Sequence, residues 1–213
     1  MSDTYVGQSL SRLEDARFLT GKGTYVANAI PAGCLHLHVL RSPHGHARID
    51  RLDVGAARKL PGVVAIYTEA DLAADNIGPL PCAVAIDFVE KLIVPPRPAL
   101  AKDIVRHVGD PIACIVAESI DAALEAADAI DVDYTPLPAV VDGEAALKPG
   151  APQLWPQAPG NSAFLYHRGD KAAVDAAMAS AKHIVTADLL NNRVVVAPIE
   201  TRAAIATYDA AQD

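Results

Sequence analysis

The chain has 213 residues, 51% hydrophobic and 21% charged, which is the balance of a folded globular protein with room for one large domain or two small ones. A formal net charge of −8, spread without runs of like charge, argues against a nucleic-acid groove, and an aromatic content of 5% argues against base stacking or an aromatic sugar cleft. No apolar run approaches the roughly 18 to 20 residues of a membrane span, and MSDTYVGQSL lacks both the basic and the apolar segment of an export signal, so a cytoplasmic location is expected.

The three cysteines, Cys34, Cys82 and Cys114, are far apart and odd in number, which fits neither a disulfide framework nor paired metal-ligand spacing. Reduced, mostly buried thiols are the reading that agrees with a cytoplasmic protein.

Along the chain, residues 1–33 lack a sustained apolar period and read as an extended arm with turns at Gly21, Gly23 and Gly33. Leu35 to Arg41 is a predicted strand, with Leu35, Leu37 and Val39 on one face and His36, His38 and Leu40 on the other. Asp53 to Lys59 is a predicted helix capped by Asp53 and stopped at Pro61-Gly62. Val63 to Thr68 reads as a buried strand. Five prolines between residues 70 and 100 (Pro79, Pro81, Pro95, Pro96, Pro98) deny a central strand its amide donors and predict a long ordered loop.

Pro111 to Glu118 is a further buried strand that runs into a helix with Ser119 as N-cap, Asp121 in the first turn, and an apolar stripe of Ile120, Ala123, Leu124 and Ala127. Ile130 to Tyr134 follows as a strand, giving a strand–helix–strand unit packed on a sheet. A Pro-rich linker covers residues 141–162, within a proline-dense stretch beginning at 135. Beyond it, Asp170 can cap a helix with Val174, Ala177, Met178 and Ala181 on one face. Ile184 to Leu190, Arg193 to Ala197 and Ala203 to Tyr208 read as three closing strands of a unit too small to enclose its own core.

Candidate chemistry is sparse. His36 and His38 share a strand face but lack a signposted third ligand, so they read as strand-face histidines. His44 and His46 flank Gly45 in a turn and read as packing residues. Gly21-Lys22-Gly23 lacks the spacing and the preceding strand of a phosphate loop, and Ser42-Pro43-His44 is adjacency in sequence, not a triad. The carboxylates Glu118, Asp121, Glu125, Asp128, Asp131 and Asp133 trace a solvated face. Glu200 and Arg202 have strand spacing and suggest a structural ion pair. The residues therefore nominate no catalytic, cofactor-binding or metal-binding side chain.

Several stretches in order nevertheless resemble one family. VGQSLSRLEDARFLTGKGTYVAN (6–28), LRSPHGHARID (40–50), LPGVVAIYTEADL (60–72), RPALAKDIVRHVGDPIACIVAES (97–119), DVDYTPLPAVVD (131–142), then APGNSAF, RGD and NRVVVAPIETRAAIATYD, are together similar to the opening of the large subunit of the xanthine dehydrogenase/aldehyde oxidase/carbon monoxide dehydrogenase family, the molybdenum hydroxylases. Thr201 stands where many members have Pro, and Gly45 where they commonly have Ala.

The resemblance implies an α+β fold. Its parts would be an N-terminal arm (1–19), an α/β-hammerhead domain (20–140), the linker (141–162), and the first helix and strands of an incomplete molybdopterin-binding domain (163–213). It implies an oxidoreductase that oxidises aldehydes, N-heterocycles or CO with water-derived oxygen. The molybdopterin-type molybdenum cofactor would belong to the complete enzyme, with Fe–S and FAD on partner domains or subunits. The family's cofactor loops and catalytic Glu have no counterpart in these residues, so this chain would be a structural and docking segment without its own active site. Its partners would be the remainder of the molybdenum subunit, the Fe–S subunit and the FAD subunit in an oligomer, with no nucleic acid and no membrane span. Arg41, Ser42 and His44 are the first residues to examine for interdomain contacts. The alternative is a stand-alone, non-catalytic binding or scaffold module on the hammerhead fold.

Overall fold

The computed structural model describes residues 5–83, 86, 87, 89, 92–192 and 194–211. The chain divides into two compact units, Leu35–Thr186 and a second made of Met1–Cys34 with Ala187–Asp213.

The Leu35–Thr186 unit begins with β1 (His36–Arg41) and β2 (Ala47–Asp53), followed by β3 (Val63–Tyr67), β4 (Ile104–Val105), β5 (Pro111–Ala117) and β6 (Asp131–Pro136). They form two antiparallel three-stranded sheets, ordered β1–β5–β3 and β4–β2–β6. β5 is the central strand of the first sheet, and its alternation is what the sequence predicts of a strand covered on both faces. Ala113, Ile115 and Ala117 point into one core and Ile112 into another, and all four are fully buried.

The helix Ile120–Asp128 covers the first core. Ser119 caps it by accepting the Ala122 amide at 3.1 Å, and Asp121 lies in its first turn. Its buried face consists of Ala123, Ala126 and Ala127, packed with Ile115, Ile66 and Ile130. The predicted stripe is thus corrected in part, since Ile120 and Leu124 remain 45% and 44% exposed. Small alanines let the helix lie close on the sheet, which turns the larger residues outward. Gly62 marks how close: it adopts φ +77°, and a Cβ there would sit 3.2 Å from the Ala122 Cβ.

Other expectations shift locally. No helix spans 53–59: Asp53 ends β2 and accepts the Gly55 amide at 2.8 Å, leaving a single 3-10 turn at Ala57–Lys59. β2 itself carries no clear alternation in sequence, because Arg48, Asp50, Arg51 and Asp53 face solvent. The Pro-rich stretch opens with a helix, Glu69–Ala74, held by a capping box in which Thr68 and Asp71 satisfy each other's end groups. Among the described residues its remainder is loop, with isolated bridges between Leu80 and Arg97 and between Val89 and Tyr166. On β1 the side that packs on the core is that of Leu40, with His36 and His38 half-buried beside it, while Leu37 is exposed.

Residues 141–162 are pinned in place. A short helix, Gly143–Ala146, is capped by Asp142, and Asn161 reaches back to donate to the carbonyls of Ala146 (3.0 Å) and Pro152 (2.9 Å). The helix Lys171–Ser180 forms as predicted, with Asp170 accepting the Ala173 amide at 3.0 Å, yet it buries no residue.

The three closing strands do not form. Within the described residues, 184–192, 194–197 and 203–208 contain no strand and no ladder partner, and Arg193 lies outside those residues. β-branched composition favours an extended backbone, but a strand exists only where another strand takes up its N–H and C=O groups. Every described residue from Phe164 to Ala211 is exposed.

In the second unit, the arm contains a short helix, Asp15–Leu19, that the sequence reading did not anticipate. Gly21 and Gly33 turn the chain with positive φ, whereas Gly23 lies against Phe18, where a Cβ would approach to 2.9 Å.

Candidate functional site

Two groups of polar side chains in the Leu35–Thr186 unit are held by tertiary contacts. The first surrounds the turn after β1. Ser42 is 2% exposed, and its hydroxyl accepts the His44 amide at 3.0 Å and lies 3.3 Å from the His44 carbonyl. Ser42 therefore bonds to the main chain of His44 and not to its ring, as turn geometry requires. The Ser42 amide donates to Asp110 (2.9 Å) and the Gly109 amide to Ser42 (2.8 Å), while Arg41 reaches the Gly109 carbonyl at 2.9 Å. The His44 ring packs against Tyr134 with 4.7 Å between centroids, and burial pushes the Tyr134 hydroxyl above its ordinary pKa while Ser42 pulls the other way. His46 is buried, and its Nδ1 donates to the Pro138 carbonyl at 2.8 Å, which fixes the proton on that nitrogen. Arg41, Ser42 and His44 thus tie the β1–β2 turn to residues 109–110 and to β6.

The second group lines a cavity of about 270 Å³ between the segment after Arg97, the β4–β5 connection and Trp155. Arg106 places its guanidinium carbon over the Trp155 ring, 3.7 Å from the ring centroid. Its Nε donates to the Leu154 carbonyl at 2.8 Å and its Nη1 to the Ile104 carbonyl at 3.3 Å. Burial lowers its pKa, opposed by Asp110, which also accepts the Arg106 amide at 2.9 Å. His107 stands 3.8 Å from the same carboxylate.

The remaining sequence candidates stay apart. The carboxylates from Glu118 to Asp133 are exposed, and Arg51 bridges Asp131 and Asp133, which raises the Arg51 pKa well above its ordinary value. Glu200 and Arg202 form no ion pair with each other, because the chain there is not a strand and period-two spacing does not apply. Cys114 is a half-buried thiol on β5 whose pKa is raised by burial, with Arg41 opposing.

Among the described residues no group of three His, Cys, Asp or Glu side chains could hold a metal ion. The described residues from 164 to 211 are all exposed. No helix among the described residues is long and apolar enough to cross a membrane.

Nothing local in the sequence signals the Arg106–Trp155 contact, since 48 positions lie between the two residues. The density of basic residues at Arg97, Lys102, Arg106 and His107 was the visible trace.

Comparisons with known proteins agree with the resemblance read from the sequence. Residues 20–138 match the family described as aldehyde oxidase and xanthine dehydrogenase, a/b hammerhead domain. The chain is 36% identical over 208 residues to the nicotine 6-hydroxylase large subunit of Paenarthrobacter nicotinovorans, covering 98% of this chain and 25% of that protein. It is 32% identical over 216 residues to the 6-hydroxypseudooxynicotine dehydrogenase complex subunit gamma of the same organism, covering 98% of this chain and 26% of that one. The structure of reconstituted CO dehydrogenase from Oligotropha carboxidovorans superposes with a TM-score of 0.68 at 34% identity, over 83% of this chain and 22% of that chain. The chain therefore spans about a quarter of the length of the curated relatives it matches. By the span and order of these matches, the chain belongs to the aldehyde oxidase and xanthine dehydrogenase family of molybdenum hydroxylase large subunits, of which it carries the α/β-hammerhead region.

Proposed function

We propose that this chain is the hammerhead segment of a cytoplasmic molybdenum hydroxylase, with a structural and docking role and no catalytic, cofactor-binding or metal-binding residue of its own. In that reading it is followed in the complex by the remainder of the molybdenum subunit, which holds the molybdopterin-type cofactor, and by Fe–S and FAD subunits. Residues 1–19 serve as an arm, 20–140 as the hammerhead domain, 141–162 as the linker, and 163–213 as the opening of the cofactor-binding domain. The assembled enzyme oxidises an aldehyde, an N-heterocycle or CO with oxygen from water.

The observation that carries the docking role is the apolar surface beyond the hammerhead. The helix Lys171–Ser180 buries nothing, with Val174 59% exposed, and Val185 and Val195 are each 92% exposed. On each of the two units taken by itself, exposed apolar side chains of this kind favour covering by another polypeptide. The relatives' names, a large subunit and a subunit of a dehydrogenase complex, support an assembly of several chains.

The test is to purify the chain alone and after co-expression with the remaining polypeptides of its complex. Native mass, molybdenum content and dye-linked oxidation of a panel of aldehydes and N-heterocycles are then compared. The chain alone should hold no molybdenum and turn over nothing, whereas the assembled complex should do both. Turnover by the chain alone, or failure of the chain to enter the complex, would overturn the reading.

A further inference from the structure

The cavity beside Trp155 has a charge that the rest of the molecule does not explain. In a chain of net charge −8, the described residues of its wall include Arg97 and Arg106 against one carboxylate, Asp110, with His107 alongside. Asp110 accepts the Arg106 amide, faces His107 and acts electrostatically on Arg106, and its one negative charge does not balance two guanidinium groups. Among the described residues Arg97 has no ion-pair or side-chain hydrogen-bond partner. Arg106 spends Nε and Nη1 on carbonyls, which leaves Nη2 without a hydrogen-bond partner. Pro98, Ala101, Ile104 and Leu154 add apolar lining, while Arg106 occupies a face of Trp155.

Two guanidinium groups with unused donors favour a planar anion, because their N–H forks match the two oxygens of a carboxylate. An apolar wall with a few convergent polar groups is the general make-up of a small-ligand site. The volume of about 270 Å³ admits one ring or a short chain, not a nucleotide. Phosphate would satisfy the arginines but leave the apolar lining of Pro98, Ala101 and Leu154 uncovered. We propose that this cavity binds a small organic carboxylate, with its oxygens on Arg97 and the free edge of Arg106 and its hydrocarbon part against Pro98, Ala101 and Leu154, beside Trp155.

The arrangement also supplies its own reporter, since Trp155 is the only tryptophan in the chain. Benzoate, its neutral analogue benzamide, inorganic phosphate and a short Glu-containing peptide are titrated into the full chain while Trp155 emission is followed. Benzoate should produce a saturable change that benzamide and phosphate do not. Arg97→Gln should weaken benzoate binding at least about tenfold, the loss of one charge-assisted pair. Arg97→Lys should recover only part of it, because an ammonium cannot present the fork. Arg97 is exposed and its ladder contact is through its backbone, so far-UV circular dichroism should be unchanged in both variants. Equal binding of benzamide, no saturable response, or an unaffected Arg97→Gln variant would overturn the proposal. Binding of the peptide in place of benzoate would also overturn it, by assigning the cavity to a polypeptide side chain.

Discussion

Val63–Tyr67 and the run from Ile184 to Leu190 are both rich in β-branched and aliphatic residues, yet the first is a strand and the second is not. The helices Ile120–Asp128 and Lys171–Ser180 repeat the contrast. Each is capped by a side chain at its N-terminus, but one buries three alanines and the other none. What differs is a neighbour. Val63–Tyr67 has β5 to take up its backbone groups, and the first helix has a sheet face beneath it. Propensity and capping prepare an element, while packing supplies most of its stability.

The sharpest way to break this comparison is to cut into both regions. Ile115→Ala removes a fully buried side chain from the central strand and should lower unfolding free energy by about 2–5 kcal/mol in urea titration. Val195→Ala, at 92% exposure, should change it by less than about 0.5 kcal/mol in the chain alone. Comparable losses would mean that residues beyond 164 are packed after all.

Removing caps gives the next effect. Ser119→Ala should cost about 1 kcal/mol and shift the urea midpoint. Asp170→Ala should reduce helical circular dichroism while leaving that midpoint in place, since its helix contributes nothing buried.

A pH series sharpens the packed side further. Hydrogen bonds from the Thr68 hydroxyl and amide, assisted by Arg58, hold the Asp71 carboxyl below its ordinary pKa. The folded pKa is therefore lower than the unfolded value of about 3.9. Its contribution is present above that unfolded value and is lost as pH falls through the folded one. Urea midpoints should decline in that acid window, and Asp71→Asn should flatten the decline while lowering stability at neutral pH.

The smallest effect is expected at Gly45. A Cβ there would meet the Ala139 Cβ at 3.4 Å, an ordinary contact, and φ is not positive. Gly45→Ala should change stability by less than about 1 kcal/mol, with any gain arising from a less flexible unfolded chain. A larger loss, measured in the same titration, would show that the turn holding Ser42 and His44 tolerates no side chain.

Much of the fold was legible where one local rule sufficed. Pro111–Ala117 was readable because a strand buried on both faces is a continuous apolar run, and Ser119 and Asp170 because an N-cap is a short-range hydrogen bond. β2 was not, since a surface strand full of Arg and Asp carries no apolar period. Asp53 was misread as a helix cap because the same carboxylate can close a turn onto Gly55, and the backbone around it decides which. At the cavity, Arg97, Arg106 and Asp110 were visible as charges in one segment, but their convergence with Trp155 was not.

By itself, the sequence determined the family, through an ordered series of short motifs, and the elements whose stabilising contacts lie within a few residues of one another. Tertiary structure alone decided which extended runs became strands, which face of Ile120–Asp128 turned inward, and where Arg106 found its aromatic partner. The physical reason is range. Caps and turns close over three or four bonded neighbours, whereas a ladder, a buried face or a cavity needs groups that the chain brings together only on folding.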